Sequence, residues 1–440
     1  MKPHTIALAL GLLVSLMVVP AHGGSERILY GKHQVHATRL IARFADSTAS
    51  NVRLNVANQS GEKVVRTYDL VPGLVVLEPD ATTLSALASA HPQKDAAAAL
   101  RHRIKALMAT GAFKYVEPDY EVRASATPTD ERFMDGTLWG LKNTGQNGGV
   151  AGADIGVEAA WDITTGSPGV VVAVIDTGIR YTHQDLASRM WVNPGEIPGN
   201  GVDDDSDGYI DNIYGINAIT DSGDPMDDND HGSHVAGTIG AAANDGHPHV
   251  GVAWNVRLMA CKFLDANGSG NTSDAIECIN FAVSKGVRIL NNSWGGGPFV
   301  QGLYDAIVNA RNQGVLFVAA AGNESNNNDS NPAYPASYSV DNVISVAALN
   351  RSDQIANFSN FGRNSVHLGA PGVSIYSCTS GADNEYDTFD GTSMASPHVA
   401  GVAALVLSQF PGIPLSELRQ RIINSTVAVA ALNNITISGG

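Results

Sequence analysis

Three short stretches of the chain carry side chains that can take part in proton transfer or nucleophilic attack. The first, AVIDTGI at residues 173–179, runs through apolar residues to one carboxylate, Asp176, and then turns at a glycine. Such an aspartate could belong to the carboxylate pair of an aspartic peptidase or could orient a histidine in a serine peptidase. It could also be a structural residue that caps a turn. The heptapeptide alone leaves all three interpretations open.

The other two stretches contain a histidine and a serine. In DHGSHVAG at residues 230–237, His231 leads into an apolar helical segment. In DGTSMASPHVAG at residues 390–401, Ser393 precedes an Ala-rich helix, whose positive end and free N–H groups would lie near the hydroxyl. Each residue alone is more often structural. Together, the order Asp, His, Ser is the chain order of the subtilisin triad.

The three motifs closely resemble those of the subtilisin-like serine peptidases, or subtilases, and the resemblance covers residues from about 130 to 440. It implies that Asp176 orients His231, that His231 accepts and returns a proton, and that Ser393 attacks the scissile carbonyl. One departure is Ser233, where the family usually has Thr; the hydroxyl is retained.

The same resemblance implies an oxyanion hole and a substrate cleft. FVAAAGNE at residues 317–324 is similar to the segment that carries the family's oxyanion asparagine, here Asn323, with the Ser393 N–H as second donor. Trp294 replaces a common small aliphatic residue, which favours large apolar or aromatic side chains before the cut. An extended peptide would pair with two main-chain segments. The substrate-binding residues that the resemblance implies are Gly268, Ser269, Gly270, Ser293, Trp294, Gly295, Ala320, Ala321 and Gly322, with Tyr334 and Pro335 near the base of the pocket.

An aspartic peptidase would need a second, equivalent motif. Asp221-Ser222-Gly223 is the candidate, but it follows Asp176 by only 45 positions and has acidic, polar surroundings. Two equivalent lobes do not fit in that interval, so the sequence disfavours this class.

An acidic segment predicts a calcium site. Residues 203–211 read D-x-D-x-D-G-x-I-D, in which alternate carboxylates converge on a hard cation and the glycine permits a sharp turn. The twelfth position holds Tyr214 rather than Glu, so the segment is not a complete EF-hand; the alternative is a solvated acidic loop. The predicted ligands are Asp203, Asp205, Asp207, Tyr209 and Asp211, and the resemblance implies a second calcium site at Asp185 and Asn244.

The alternation of segments predicts the fold. Continuous apolar runs at 170–175, 257–263, 287–291, 315–320 and 343–346 are typical of strands buried on both faces. Helical segments at 234–243, 271–284 and 302–313 separate them. We therefore expect an α/β fold with a doubly wound, mostly parallel sheet flanked by helices, and Asp176 at the carboxyl end of a strand.

Composition and segment boundaries predict three parts. Residues 1–23 read as a secretory signal, with Lys2 before an apolar run too short to span a membrane. Residues 24–125 resemble the family's propeptide, most clearly at YVEPDY (115–120), and imply a small α+β domain that assists folding, inhibits the enzyme and is removed by self-cleavage. The alternative is a permanent accessory domain. Residues 126–440 form the expected peptidase domain, trimmed or truncated after the final Gly-Gly pair.

The sequence as a whole predicts a secreted, monomeric serine endopeptidase that acts on proteins or peptides. The net charge of −16 argues against nucleic acid as a partner, and no later segment is long and apolar enough for a membrane span. The three cysteines are an odd number and are expected to be buried free thiols. The alternative function is a catalytically silent binding or scaffold protein on the same fold.

Overall fold

The structure, a computed structural model, describes residues 27–31, 33–90, 96–121 and 127–440, with backbone only at 86–90. The predicted signal peptide and residues 122–126, which contain the predicted boundary between the propeptide and the peptidase domain, lie outside the described residues. The chain divides into two compact units, one up to residue 123 and the other from residue 124. No helix in the described ranges is long and apolar enough to cross a membrane.

The first unit is an antiparallel sheet with helices. Its sheet has the order β1-β2-β4-β3, and β5 also pairs with β2. Its core holds a bidentate ion pair in which Arg103 donates to Glu62 at 2.8 and 2.7 Å. The elements are β1 (Arg27–Tyr30), β2 (His33–Phe44), α1 (Arg53–Gln59), β3 (Glu62–Thr67), β4 (Leu74–Pro79), α2 (Ala81–Ala90), α3 (Ala96–Ala109) and β5 (Phe113–Tyr120).

The second unit contains a seven-stranded parallel sheet and a small hairpin. The order in the sheet is β12-β11-β10-β9-β6-β8-β7, and the hairpin pairs β13 with β14. Its strands are β6 (Val171–Asp176), β7 (Gly215–Asn217), β8 (Arg257–Lys262), β9 (Ile289–Asn292), β10 (Leu316–Ala320), β11 (Val343–Leu349), β12 (Leu368–Pro371), β13 (Ile375–Cys378) and β14 (Tyr386–Phe389). Its helices are α4 (Glu131–Met134), α5 (Val157–Trp161), α6 (His231–Gly240), α7 (Thr272–Ser284), α8 (Gln301–Asn312), α9 (Thr392–Gln409) and α10 (Leu415–Asn424).

Side chains that alternate along β6 separate the core of this unit into two layers. Val172 and Val174 pack in the layer that contains residues of α6 and α9, whereas Ala173 and Ile175 pack in the layer that contains residues of α7 and α8. Both faces of the central strand are therefore apolar, which explains the continuous apolar runs in the sequence. The predicted doubly wound α/β fold, preceded by a small α+β unit, is confirmed.

The order of the strands places β6 where the chain changes direction. After β6 the chain forms β7 and β8 on one side of this strand and then β9 on its other side. Ligands of open α/β sheets bind at such a switch point, outside the carboxyl ends of the strands. Asp176 is the last residue of β6 and therefore lies there.

The helix that follows the histidine motif begins earlier than the sequence predicted. We expected a helix over 234–243, but α6 spans His231–Gly240 and starts at the histidine itself. Gly232 permits this start, because a side-chain carbon at that position would lie 2.0 Å from the carbonyl oxygen of Gly178. The close approach of the two glycine-containing turns brings His231 to the end of β6.

Candidate active site

Asp176 and His231 form a direct pair at the carboxyl edge of the sheet. The Asp176 carboxylate is fully buried, and its Oδ1 lies 2.7 Å from the Nδ1 of His231. Burial by itself lowers the pKa of His231, but the negative charge of Asp176 and this hydrogen bond outweigh it, so the pKa of His231 is raised. A raised pKa makes the ring a better proton acceptor.

A second buried aspartate, Asp227, connects the turns that carry this pair. Its carboxylate accepts hydrogen bonds from the hydroxyls of Thr177, at 2.8 Å, and Ser233, at 2.6 Å. The Thr177 hydroxyl in turn accepts the N–H of Gly232 at 2.8 Å. The hydroxyl of Ser233 thus makes the hydrogen bond that a Thr hydroxyl could make, which explains why Ser can replace the Thr that is usual in the family. Sequence reasoning missed Asp227, although it lies only four residues before His231.

Ser393 is the second residue of α9, and its backbone N–H accordingly lies in the first helical turn, where it has no intrahelical partner. Its hydroxyl donates to the carbonyl oxygen of Ser293 at 2.9 Å. The hydrogen bonds described for Ser393 do not include one to His231. Apo structures often show a long or absent nucleophile–base contact, so this geometry does not exclude His231 as the base.

A buried hydroxyl and amide network fixes Ser393 against the sheet. Ser293 donates to the carbonyl oxygen of Ser393 at 2.8 Å and lies 2.8 Å from the Ser396 hydroxyl. Ser396 also donates to the Oδ1 of Asn291, the third residue of β9, at 3.2 Å. Because β9 pairs with β6, this network holds Ser393 at the same sheet edge as Asp176. Asn291 and Ser396 were not predicted from the sequence.

Asn323 follows β10 and faces the start of α9. Its Oδ1 accepts the backbone N–H and the hydroxyl of Thr392, both at 2.9 Å. The orientation of the amide is fixed by these bonds, so its Nδ2 points away from Thr392. Within the described ranges that Nδ2 has no hydrogen-bond acceptor. It remains available as a donor, and Thr392, which holds the amide, directly precedes Ser393.

The predicted substrate-binding residues occupy three segments at carboxyl ends of strands. Gly268, Ser269 and Gly270 follow β8 in an exposed turn and do not form a strand. Ser293 to Gly295 follow β9. Ala320 is the last residue of β10, and Ala321 and Gly322 follow it, with a φ of +110° at Gly322. A side-chain carbon at Gly322 would lie 2.3 Å from the amide nitrogen of Asn360. Because β8, β6, β9 and β10 are consecutive in the sheet, the three segments share one edge.

Trp294 packs on an aromatic neighbour. Its ring lies 4.8 Å from that of Phe263 in an edge-to-face arrangement. The indole N–H is buried and has no partner in the part of the chain that the structure describes. Phe263, which follows β8, was not among the predicted pocket residues.

The acidic loop presents a smaller set of converging carboxylates than the sequence predicted. One oxygen from each of Glu196, Asp203 and Asp205 lies within 4.8 Å of the others. The carboxylate of Asp211 lies outside this group and accepts backbone N–H groups, from Gly199 at 2.7 Å and Gly201 at 3.0 Å. Within the group, Glu196 and Asp203 also accept backbone N–H groups, from Asp204 and from Gly208, both at 2.9 Å. The other two predicted ligands also have partners: Asp207 binds Lys285 at 2.8 Å, and the Tyr209 hydroxyl bonds to Glu277.

The converging group fits a calcium ion. The Oδ1 of Asp205 is buried without a hydrogen-bond partner, whereas its Oδ2 binds Lys285 at 2.5 Å. Oxygen ligands of this kind suit Ca²⁺, and an orphaned buried carboxylate oxygen is costly without a cation. Glu196 was missed because it precedes the repeated motif, and the fold alone brings it to Asp203 and Asp205.

The two residues of the predicted second calcium site are separately engaged. Asp185 accepts the hydroxyl of Tyr386, while its Oδ1 is buried without a partner. The side-chain oxygen of Asn244 accepts the N–H and hydroxyl of Thr129 at 2.9 and 3.0 Å. No contact between Asp185 and Asn244 is recorded within the described ranges. One ligand atom each of Asp185, His183 and Cys378 lies within 4.8 Å of the others. All three cysteines are buried free thiols, as expected.

Comparison with known proteins identifies the family. The Subtilase family profile matches residues 167–438, and the chain belongs to this family. The chain is 40% identical over 319 residues to a thermophilic serine proteinase from Bacillus sp. (strain AK1). The aligned region covers 72% of this chain and 69% of that protein. It is also 34% identical over 361 residues to halolysin from Haloferax mediterranei, and that alignment covers 82% of this chain and 62% of halolysin. These relationships make it a subtilisin-like, serine-type endopeptidase.

More distant relatives match only in part. Subtilisin-like protease 1 of Plasmodium vivax is 37% identical over 287 residues, which is 61% of this chain and 45% of that protein. A solved cold-adapted subtilisin-like serine proteinase has 32% identity and a TM-score of 0.49, covering 62% of this chain and 86% of that one. The chain thus spans less than half of the Plasmodium protein.

Proposed function

We propose that this chain is an exported serine endopeptidase in which Ser393 is the nucleophile, His231 the proton carrier and Asp176 the residue that orients His231. The observation that carries the proposal is the 2.7 Å bond from a fully buried Asp176 to His231. An unpaired buried carboxylate is costly, so its alignment with one imidazole nitrogen fixes the ring and leaves the other nitrogen for the serine.

In the proposed reaction, the Ser393 hydroxyl first turns from the Ser293 carbonyl towards the Nε2 of His231. Nε2 accepts the hydroxyl proton while the serine oxygen bonds to the scissile carbonyl carbon. The negative carbonyl oxygen that forms accepts hydrogen bonds from the Nδ2 of Asn323 and the N–H of Ser393. His231 then gives the proton to the leaving amine, and water hydrolyses the acyl-enzyme by the same steps.

We further propose that substrates bind as an extended strand between the segment at 268–270 and the segment at 293–295. Gly268 to Gly270 and Gly295 are exposed, and main-chain pairing is largely independent of the substrate's sequence. The pair formed by Trp294 and Phe263 supports a preference for a large apolar or aromatic residue before the cut.

The first unit and the N-terminus give a proposed maturation route. Residues 1–23 would direct export and be removed, and residues 24–125 would act as a folding assistant and inhibitor until the enzyme cuts them off. The YVEPDY segment lies in β5 of the first of the two compact units, and a removable domain would form such a unit.

Glu196, Asp203 and Asp205 are the proposed ligands of a structural calcium ion. Calcium would neutralise the clustered charges. It would also hold in place the loop between the short 3₁₀ helix at Ala187–Arg189 and β7. It has no proposed role in the chemical steps. Asp185, with its orphaned oxygen, stays the candidate anchor of a second ion.

Mass spectrometry of the freshly produced chain beside S393A, both incubated with calcium, tests the proposal. Wild type should lose about its first hundred residues while S393A stays whole. If both are cut alike, self-processing is wrong. If both stay whole and neither cleaves added peptide, the catalytically silent alternative is favoured; the Ser393 hydroxyl bond to Ser293 instead of His231 is the observation that keeps this alternative in view.

A further inference from the structure

The loop that carries Asn323 follows β10 and has no regular structure of its own. Within residues 321–326 the backbone forms neither helix nor strand. It turns sharply on both sides of Asn323, with a φ of +110° at Gly322 and of +55° at Ser325, a value that residues with a side chain rarely adopt. Such a backbone persists only where surrounding contacts determine it. The position of the proposed oxyanion donor therefore depends on the contacts that hold this loop.

The side chain of Asn360, in the segment between β11 and β12, is fully buried and bonds to this loop. Its Oδ1 accepts the backbone N–H groups of Glu324 at 2.9 Å and Asn326 at 3.0 Å. A backbone N–H can only donate, so these two bonds determine which end of the Asn360 amide is the oxygen. With the positive φ at Ser325, the N–H groups on its two sides thus point to one acceptor.

The amide nitrogen of Asn360 donates to the same loop. Its two hydrogens are shared among the carbonyl oxygen of Ala321 at 3.1 Å, the carboxylate of Glu324 at 2.7 Å and the Oδ1 of Asn328 at 3.1 Å. The backbone N–H of Asn360 also donates to the carbonyl oxygen of Gly322 at 2.9 Å. Asn360 therefore bonds to both residues that flank the proposed oxyanion donor.

The segment that carries Asn360 is itself bonded to the central sheet. The buried hydroxyl of Ser359 accepts the N–H of Ala348, on β11, at 2.9 Å and donates to the carbonyl oxygen of Asn360 at 3.0 Å. The N–H of Ala356 donates to the carbonyl oxygen of Ala348 at 2.9 Å. Because β11 pairs with β10, Asn360 connects the irregular loop to a rigid part of the sheet.

We propose that Asn360 is a positioning residue of the oxyanion hole, which holds the backbone of Asn323 while Thr392 holds its amide. This rests on the proposed role of Asn323 as oxyanion donor. A donor stabilises the negative oxygen only if it is held where that oxygen forms. Thr392 fixes the direction of the amide, but not the position of the backbone from which it extends. A displacement of about 1 Å can cost about 10²-fold in rate.

The kinetics of four full-length proteins test whether Asn360 acts through Asn323: wild type, N360A, N323A and the double variant. The assay is hydrolysis of a chromogenic peptide, with active sites counted by a covalent serine inhibitor. For variants that do not remove their first unit, the rate of self-cleavage is compared by mass spectrometry. N360A should lower kcat at least about tenfold when Asn323 is present, and less than about threefold in the N323A background. A residue that only stabilised the fold would not show this dependence on Asn323.

A matched control is N342A. Asn342 is also fully buried and donates its amide to main-chain oxygens, of Val315 at 3.0 Å and Ile307 at 3.3 Å. N342A should lower the Tm, as N360A does, because each leaves buried main-chain groups without a partner. Its kcat per active site should stay within about threefold of wild type. N360S, which retains one hydroxyl, replaces N360A if the latter does not fold, and it should show the same dependence on Asn323.

Amide hydrogen exchange in full-length S393A measures the network without a change at Asn360. The N–H groups of Glu324 and Asn326 should exchange at least about tenfold more slowly than unprotected amides, because both are bonded to a buried oxygen. Unprotected exchange at these two amides would overturn the proposal whether or not the variants fold.

The kinetic outcomes separate this proposal from the one on which it rests. The positioning role of Asn360 is wrong if N360A loses less than about tenfold in kcat, if it loses about threefold or more in the N323A background, or if N342A loses as much. In each of these cases the proposed oxyanion donor is unaffected. A kcat of N323A within about threefold of wild type would instead refute the oxyanion role of Asn323 itself.

Discussion

Replacing Asn323 by Asp removes the proposed oxyanion donor and keeps the oxygen that bonds to Thr392. The substitution retains Oδ1, so the two 2.9 Å bonds from Thr392 can persist, but it changes the Nδ2 donor into an oxygen. The transition state would lose one hydrogen bond and would meet a like charge. The start of α9, by contrast, would gain a carboxylate near its positive end.

The expected decrease in kcat follows from the lost hydrogen bond and the added like charge. Removal of one such donor in a subtilisin, the reference case for this effect, costs about 10²–10³ in kcat, or about 3–4 kcal/mol. We expect N323D to lose at least that much in kcat with little change in KM, because the bond forms only in the transition state. Its Tm should be unchanged or slightly raised, since a carboxylate in the first helical turn contributes about 0.3–1 kcal/mol.

The assay is hydrolysis of a chromogenic peptide with an aromatic residue before the cut, with active sites counted by a covalent serine inhibitor. If N323D does not remove its own first unit, its rate of self-cleavage is compared with that of wild type by mass spectrometry. T392S, which retains the hydroxyl that holds Asn323, is the control and should stay within about threefold of wild type. A kcat for N323D within tenfold of wild type, at an unchanged Tm, would refute the assignment of Asn323 as the oxyanion donor.

Two further predictions concern stability. Calcium chelation should lower the Tm of wild type and of K285M, which removes the ammonium that pairs with Asp205 and Asp207, but not that of D205A, which removes a ligand; equal shifts in all three would exclude this site. Burial lowers the pKa of His234 to about 3, below the unfolded value of about 6.5, so stability is lost as the pH falls through this window. The test variant is H234Q, whose amide can still donate to the Ile375 carbonyl. Between pH 6.5 and pH 5, its free energy of unfolding, measured with urea, should fall by about 2 kcal/mol less than that of wild type; equal decreases in the two proteins would contradict this.

Much of the fold was predictable because each core element of the second unit has a local signature. Strands buried on both faces read as continuous apolar runs, and β6, β8, β9, β10 and β11 lie within a few residues of their predicted positions. The bounds of α7 and α8 lie within one residue of those predicted, whereas α6 is displaced by three residues. The start of α6 depends on the approach of Gly232 to Gly178, a contact between distant parts of the chain.

The sequence also indicated the family and the proposed triad, since residue order and flanking motifs are properties of the chain itself. It did not reveal the residues that support the site. Asp227, Ser396 and Glu196 have ordinary surroundings in the sequence, and their importance comes from partners that only folding brings near.

What the sequence by itself determined is therefore the class of protein, the layered α/β fold and the side chains offered for chemistry. These depend on local patterns, namely the period of apolar residues and short motifs around single polar residues. Only the tertiary structure decided which carboxylates converge and which are already engaged: Asp205 has an orphaned oxygen, whereas Asp211 is occupied by backbone N–H groups. It also decided that Asn360 bonds to both neighbours of Asn323. A polar group's function depends on whether its hydrogen-bonding capacity is already used, and that depends on through-space neighbours that no local pattern encodes.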